Sequence, residues 1–260
     1  MKRVLVAGAC GRMGERVRHW LGADDALECG GALEAPGHPR MGESVAPGVC
    51  VADDAKAALE GMDVVIDFTL PEATVEVLRA AADAGVAYVT GTTGCSDAQR
   101  SEIAELAQRI PVIHAPNFSL SVNVLAWLAR EAARRLGDGF DAELFEIHHA
   151  AKRDAPSGTA LLLARAVAEG QGKNLEDHLI LERAGETGAR PSGAIGIQTL
   201  RGGDNPGEHT IYFAGVGERV ELAHRSSTRD HFAKGALRAA AWLIGKPPGL
   251  YAIETVYGLE

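Results

Sequence analysis

The chain has no Cys-x-x-Cys pair, no apolar run of membrane-spanning length, no internal repeat and no excess of positive charge. Each absence removes a class of function. The four cysteines, Cys10, Cys29, Cys50 and Cys95, are scattered, and none neighbours a histidine at metal-ligand spacing. Such thiols suit a reducing compartment and offer no disulfide framework. The Lys2-Arg3 start followed by Val4 to Ala7 imitates a signal peptide, but the run stops at Gly8 and soon meets Arg12, which is too short. No stretch reaches transmembrane length, so cytoplasmic residence is expected. A formal net charge of −9 argues against a nucleic-acid partner, because phosphate backbones call for a basic face. What remains is ordinary for a globular protein: 260 residues, 46% hydrophobic and 23% charged, enough for one or two domains with a substantial core.

The 31 glycines gather at strand-to-helix junctions rather than in a low-complexity run. Lys2 to Ala7 is a short valine-rich run, the pattern of a strand buried on both faces. Gly8-Ala9-Cys10-Gly11-Arg12-Met13-Gly14 follows, with a helical segment from Gly14 to about Leu21. Strand, glycine turn and helix form the setting of a dinucleotide fingerprint, spaced here Gly-x-x-Gly-x-x-Gly. A second strand, Leu27 to Leu33, ends in Glu34, placed to accept hydrogen bonds from ribose hydroxyls. Ala35 and Pro36 come next without an adjacent arginine, which favours NADH over NADPH, although Arg40 could fold back. Further strands are expected over Met62–Phe68, Val86–Thr90 and Pro111–His114, with helices over Pro71–Ala81 and Ala98–Gln108. This β-α rhythm implies a doubly wound parallel sheet whose ligands bind beyond the carboxyl ends of the strands. By that rule Gly91, Thr92, Thr93 and the run Ala115-Pro116-Asn117-Phe118 border the same crevice as Glu34. Taken singly, each of these loops is also ordinary turn chemistry.

After an amphipathic helix over Ser121–Leu136 the rhythm changes. A strand over Ala142–Ile147 and a helix over Thr159–Ala168 flank Glu146-Ile147-His148-His149-Ala150-Ala151-Lys152-Arg153-Asp154-Ala155-Pro156-Ser157-Gly158-Thr159-Ala160. This segment joins two imidazoles, an ammonium group and a Ser-Gly-Thr helix start that suits an anion. An anionic substrate held and protonated here would explain the basic cluster in an acidic chain. Two histidines at a strand end are also compatible with a structural or metal-linked role; no metal is expected, because no third ligand lies at usable spacing. His148 and Lys152 are expected to be accessible loop residues. His209 and His231 read as structural or surface residues, and Arg201 as a further basic group near the pocket. Residues 169–192 read as a long surface loop. Ile195–Arg201, His209–Gly215 and Val220–Arg225 read as an antiparallel meander. A last helix is expected over Phe232–Ile244. The expected organisation is therefore α/β: an N-terminal Rossmann domain of residues 1–119 with 229–260, and a C-terminal α+β domain of residues 120–228 with a mixed, largely antiparallel open sheet.

Assembled, these segments resemble the dihydrodipicolinate (4-hydroxy-tetrahydrodipicolinate) reductase family of lysine and diaminopimelate synthesis. The resemblance rests on Gly8-x-x-Gly11-Arg12-Met13-Gly14, Asp67-Phe68-Thr69, Gly91-Thr92-Thr93-Gly94, Ala115 to Ser119, the histidine segment, Arg201-x-Gly203-Asp204 and Gly207-Glu208-His209-Thr210. It implies an oxidoreductase that uses NADH or NADPH to reduce a cyclic imine dicarboxylate, acting as a homotetramer. His148 falls at the acid/base position, and Lys152 at a proton-donor position that also faces a substrate carboxylate. His149, Gly158 and Thr159, with Ser157 beside them, fall at the substrate. Gly8 to Met13, Glu34, Gly91 to Thr93 and Ala115 to Phe118 fall at the cofactor. Some members carry arginines where this chain has Ala35 and Leu70, a departure that weakens NADPH use. Two other readings are an aspartate-type Rossmann dehydrogenase and a non-enzymatic NAD-sensing protein. Aspartate oxidation with NAD would mark the first, and cofactor binding without turnover the second.

Overall fold

The computed structural model describes residues 1–259. In chain order the elements are β1 (Lys2–Ala7), α1 (Arg12–Leu21), β2 (Leu27–Leu33), β3 (Ser44–Ala46), β4 (Val49–Ala52), α2 (Ala55–Ala58), β5 (Val64–Asp67), α3 (Pro71–Ala84), β6 (Ala87–Thr90), α4 (Asp97–Leu106) and β7 (Pro111–His114). There follow α5 (Leu120–Leu136), β8 (Asp141–His148), α6 (Gly158–Gly170), α7 (Leu175–His178), β9 (Leu179–Ile180), β10 (Ile195–Arg201), β11 (Glu208–Ala214) and β12 (Arg219–Arg225). The chain closes with α8 (Asp230–Leu243), β13 (Gly249–Tyr251) and α9 (Ile253–Tyr257). Two compact units result. One comprises Met1–Ser119 and the chain from Arg229 onward; the other is Leu120–Thr228.

The first unit is built on a sheet ordered β13-β7-β6-β5-β1-β2-β4-β3, parallel throughout except for the β3–β4 pair. Strand residues alternate between two cores. Val4, Val6, Ile66, Val89 and Ile113 join one with residues of α1, α8 and α9. Leu5, Ala7, Val65, Tyr88 and Val112 join the other with residues of α3 and α4. Burial on both faces is the reason these strands read as continuous apolar runs rather than alternating ones. Strand β1 pairs with β2 on one side and β5 on the other, so the order reverses there, and the glycine turn sits at that reversal. Pro71 opens α3 and Gly85 closes it at φ 70°, while Ser96 and Gln99 cap α4 reciprocally. The short β3, β4 and α2, and β13 with α9, had no sequence signal of their own: segments of three to five residues carry too few positions for a period.

The second unit is a sheet ordered β12-β11-β8-β10-β9, with α5 and α6 packed on it. Strand β8 is parallel to β10 and antiparallel to β11. The expected meander of β10, β11 and β12 is therefore corrected, because β8 lies between β10 and β11 and only β11–β12 is a hairpin. The connection 202–207 is not a hairpin turn. It passes over the end of β8, where Gly202 N–H donates to His148 O at 2.9 Å, His149 N–H to Asn205 O at 2.8 Å and Ala150 N–H to Gly203 O at 3.0 Å. Short connections suggest neighbouring strands, but here the chain spans one strand width. The expected loop over 169–192 is also corrected, since α7 and β9 lie inside it. Among the described residues no helix is long and apolar enough to cross a membrane.

Candidate active site

In the first unit the glycines of the fingerprint have separable roles. Gly8 adopts φ 71°, a left-handed turn that starts the loop. A Cβ on Gly14 would lie 2.0 Å from Gly8 O, so only glycine lets α1 press on the loop. The residue before α1, Gly11, has no side chain to cap the helix. The N–H groups of the first turn are therefore left for an anion, a donor arrangement that fits the diphosphate of a dinucleotide. Arg12 is exposed and Met13 half-buried at this helix start, while Ala9 is buried. Arg18 ties the loop down by donating to Ala9 O at 2.9 Å.

Glu34 Oε1 accepts the Cys10 N–H at 2.7 Å, so its carboxylate is turned onto the glycine loop. Arg40 has folded back, but into other hands: its guanidinium meets Glu43 at 2.6 Å and Glu15 at 2.8 Å. At the end of β5, buried Asp67 takes hydroxyl donors from Thr74 at 2.7 Å, Thr90 at 2.9 Å and Tyr88 at 3.0 Å, and both the N–H and hydroxyl of Thr69. Thr92 belongs to the same knot, and its side chain is buried. Asp67 thus fixes the loop Gly91-Thr92-Thr93, of which Thr93 is exposed. Gly91 has no room for a side chain, since a Cβ would meet the Phe68 ring at 2.1 Å. In the last loop Ala115, Asn117 and Phe118 are buried and Pro116 is exposed. The Phe118 ring packs edge-on to Phe68, and its carbonyl accepts from Tyr257, so backbone rather than ring is what Phe118 has to offer a ligand.

In the second unit the sheet register assembles the polar cluster. Glu146 and His148, two residues apart, share one face of β8. Across the ladders Thr199 and His209 lie opposite Glu146, and Arg201 opposite His148. Glu146 is wholly buried and fully engaged. Its Oε2 accepts from His148 Nδ1 at 2.6 Å and Arg201 Nη1 at 2.8 Å. Its Oε1 accepts from Ser157 N–H at 2.9 Å, Arg201 Nη2 at 3.0 Å and Thr199 Oγ1 at 3.2 Å. Burial alone would raise its carboxyl, but the donors from His148, Arg201 and Ser157 outweigh it and hold it down at about 2. His209 packs edge-on to His148, with ring centroids 5.1 Å apart. Burial, and then the neighbouring His148, push His209 down to about 3, so it is neutral.

His148 is buried at the strand end rather than accessible in a loop, which corrects that expectation. Its Nδ1 is taken by Glu146. Gly207 lies against its other nitrogen, where a Cβ would come within 2.7 Å of Nε2, so glycine leaves that nitrogen uncovered. Lys152 is half-buried, and its ammonium pairs with Asp154 at 2.9 Å. Ser157 caps α6 by accepting the Ala160 N–H at 3.1 Å, and its hydroxyl meets His209 Nε2 at 2.9 Å. That hydroxyl is buried and committed to the fold. Gly158, exposed, and Thr159 form the first turn of α6, with N–H groups directed out of the helix start. His149 follows His148, with its N–H held by the 202–207 connection.

His209, read as structural or surface, is buried against His148 and Ser157, while Glu146 and Thr199 had been given no role. A third potential ligand does stand beside Glu146 and His148: donor atoms of Glu146, His148 and His209 lie within 4.8 Å of one another. It comes from β11, beyond any local spacing rule. The signal for Glu146 was present, an acidic residue two before a histidine on one strand face. The signal for His209 was not, because it depends on register.

Comparisons with known proteins agree in both halves of the chain. The family model described as "Dihydrodipicolinate reductase, N-terminus" matches residues 2–118, and "Dihydrodipicolinate reductase, C-terminus" matches residues 121–257. A 4-hydroxy-tetrahydrodipicolinate reductase from Anaeromyxobacter dehalogenans is 50% identical over 267 residues, covering 100% of this chain and 99% of that protein. One from Desulfotalea psychrophila is 49% identical over 267 residues, with the same coverage of 100% and 99%. Among solved structures, the dipicolinate-bound dihydrodipicolinate reductase from Paenisporosarcina sp. TG-14 superposes with a TM-score of 0.79 at 25% identity, covering 97% of each chain.

Proposed function

The chain belongs to the dihydrodipicolinate reductase family, and from that premise we propose how its residues serve the reaction. The protein is an NAD(P)H-dependent oxidoreductase of lysine and diaminopimelate synthesis that reduces 4-hydroxy-tetrahydrodipicolinate. The product is tetrahydrodipicolinate, formed with loss of water.

The cofactor, when bound, supplies the hydride. The helix start at Gly11 to Met13, the loop Gly8-Ala9-Cys10, Glu34, Gly91 to Thr93 and Ala115 to Phe118 hold it. Hydride addition to a conjugated imine drives electrons onto the ring nitrogen, and a proton must arrive as that charge develops. His148 delivers it from Nε2, the nitrogen that Glu146 leaves available; a placed imidazole contributes about 10²–10⁴-fold. Lys152 serves as proton donor and meets one substrate carboxylate, taking it in place of Asp154. The N–H groups of Gly158 and Thr159 and the side chain of His149 hold the dicarboxylate, with Ser157 setting the helix start. The observation that carries the reading is His148, clamped through Nδ1 at 2.6 Å by a buried carboxylate, on the strand that leads to Lys152 and the Ser157-capped helix start.

NADH is the preferred cofactor, since a 2′-phosphate would face Glu34 with Ala35 in place of an arginine and with Arg40 occupied by Glu15 and Glu43. The enzyme works in the cytoplasm as a homotetramer. On the sheet of the second unit, Phe145, Ile147, Leu200, Thr210 and Tyr212 alternate with the residues under α5 and α6 and remain partly exposed, a face suited to pairing between copies.

Mixing the purified protein with enzymatically generated substrate tests the assignment. NADH is expected to be consumed, with a lower apparent KM than NADPH in parallel titrations. His148→Ala and Lys152→Ala are expected to cut kcat by about 10²-fold or more. Oxidation of aspartate with NAD, and no loss of NADH with the cyclic imine, would overturn the reading in favour of an aspartate-type dehydrogenase.

A further inference from the structure

We propose that Glu146 is the positioning residue of the reaction: its buried carboxylate accepts the Nδ1 proton of His148 and thereby fixes the tautomer and ring angle in which Nε2 exchanges protons with substrate. The inference rests on His148 being the acid/base group and adds to it a residue that never touches substrate.

Five groups point at the two oxygens of Glu146, and three of them, both Arg201 nitrogens and the Ser157 N–H, can only donate. A proton on either oxygen would have to confront one of these, so the group is a carboxylate. At 2.6 Å from a carboxylate oxygen, His148 Nδ1 must carry the proton, because two bare acceptors repel at that separation. The remaining nitrogen, Nε2, is then the one free to change its protonation.

The neighbours of the ring are arranged not to interfere. Ser157 Oγ accepts the Ala160 N–H and meets His209 Nε2 at 2.9 Å, and burial, then the neighbouring His148, keep the His209 ring neutral. His209 therefore neither competes as an acid nor sets a second cation against an imidazolium. Arg201 from β10 is committed to Glu146, and Lys152 in the loop after β8 is paired with Asp154. Gly207 keeps the Nε2 edge clear.

The proton count closes. Imidazolium His148 gives the Nε2 proton to the substrate as negative charge develops there. The neutral ring keeps its proton on Nδ1, hydrogen-bonded to the Glu146 carboxylate. Water then returns a proton to Nε2, and Glu146 stays ionised throughout.

The test is Glu146→Gln. An amide at this position must keep its oxygen on the Oε1 side, where three donors converge, and so turns its NH₂ toward His148 Nδ1 and Arg201. That NH₂ calls for a bare Nδ1, moving the His148 proton to Nε2 and opposing the imidazolium. Expected are a fall in kcat of about 10²-fold or more, unchanged KM for NADH, and partial rescue by Glu146→Asp, which keeps a carboxylate. Heteronuclear NMR of labelled histidine supplies a readout that a purely structural role would not move. His148, assigned by the signal missing in His148→Asn, is expected as the Nδ1–H tautomer in the wild type and Nε2–H in Glu146→Gln. An Nε2–H tautomer in the wild type overturns the proposal, and this measurement decides even if Glu146→Gln fails to fold. So does a Glu146→Gln variant with wild-type kcat while His148→Asn is dead. If His148→Asn itself turns over normally, the acid/base reading fails, and this inference falls with it.

Discussion

Two of the buried residues in the second unit carry a pH dependence that can be worked out from their surroundings. His209 has an ordinary value of 6.5 and is pushed down to about 3, by burial first and then by His148. Between those values the unfolded chain holds a proton that the folded chain does not, so stability falls as pH drops through this window. Glu146 acts with the same sign lower down: its stabilisation is complete above its ordinary value of 4.5 and is lost as pH falls towards about 2. Thermal unfolding followed from neutrality to about pH 4 should therefore show a melting temperature that declines with acidification. In His209→Gln, which keeps a hydrogen-bond partner for Ser157, the decline should be shallower; parallel curves would mean that His209 is not held neutral. At this scale the sequence displays the chemistry but not its partners. His148, Lys152 and the Ser157-Gly158-Thr159 helix start could be named because they lie in one run of the chain. Glu146 stood in the same run unassigned, since a carboxylate near a histidine means little until its other four donors are known. Three of those come from Thr199 and Arg201, on a strand fifty residues away in the chain, and only the ladder brings them near.

Among the elements, the central strands β1, β5, β6 and β7 of the first unit were legible because they are largely buried and read as short apolar runs. β1, β2 and β7 have the bounds that the apolar runs imply, and α1 starts two residues earlier than expected, at Arg12. The fingerprint glycines make a prediction at this level. Gly14→Ala would place a Cβ 2.0 Å from Gly8 O and push α1 off the loop it supports. Overpacking of that kind costs about 1–3 kcal/mol. NADH binding, measured by calorimetry or fluorescence, should weaken as the N–H groups of α1 move out of line, while the second unit keeps its histidine NMR signals. Unchanged cofactor affinity would show that close packing of α1 on the loop is not what shapes the site. The second unit was less legible for a physical reason: the hydrophobic pattern tells which residues face a core but not which strand is the neighbour. β10 and β11 are consecutive and joined by a short connection, so hairpin pairing was the natural reading. β8 takes the place between them, burying Ala142 and Leu144 against α5 and α6 on one face. The connection 202–207 must then cross its end, which is how Gly207 comes to lie on His148.

For the molecule as a whole, the division into a nucleotide-type unit and a mixed-sheet unit follows from the change in rhythm near Leu120, and the return of the chain to the first unit after Thr228 from the apolar helix α8. Assembly is the property of the whole that the sheet face addresses. Leu200 is 45% exposed and lies opposite Ile147 across the β10–β8 ladder. Sedimentation is expected to give four copies for the wild type and smaller species for Leu200→Lys with Tyr212→Lys; a monomeric wild type would contradict pairing through this face. The central claim, that His148 protonates a cyclic imine dicarboxylate as hydride arrives from the cofactor, has a direct test in a single turnover. The enzyme is mixed with deuterium-labelled NADH and freshly generated 4-hydroxy-tetrahydrodipicolinate, and label in the tetrahydrodipicolinate product is followed by mass spectrometry. The account predicts rapid transfer of the label in the wild type and transfer slowed by about 10²-fold or more in His148→Asn. Equal rates in the two proteins, or product that carries no label, would contradict it.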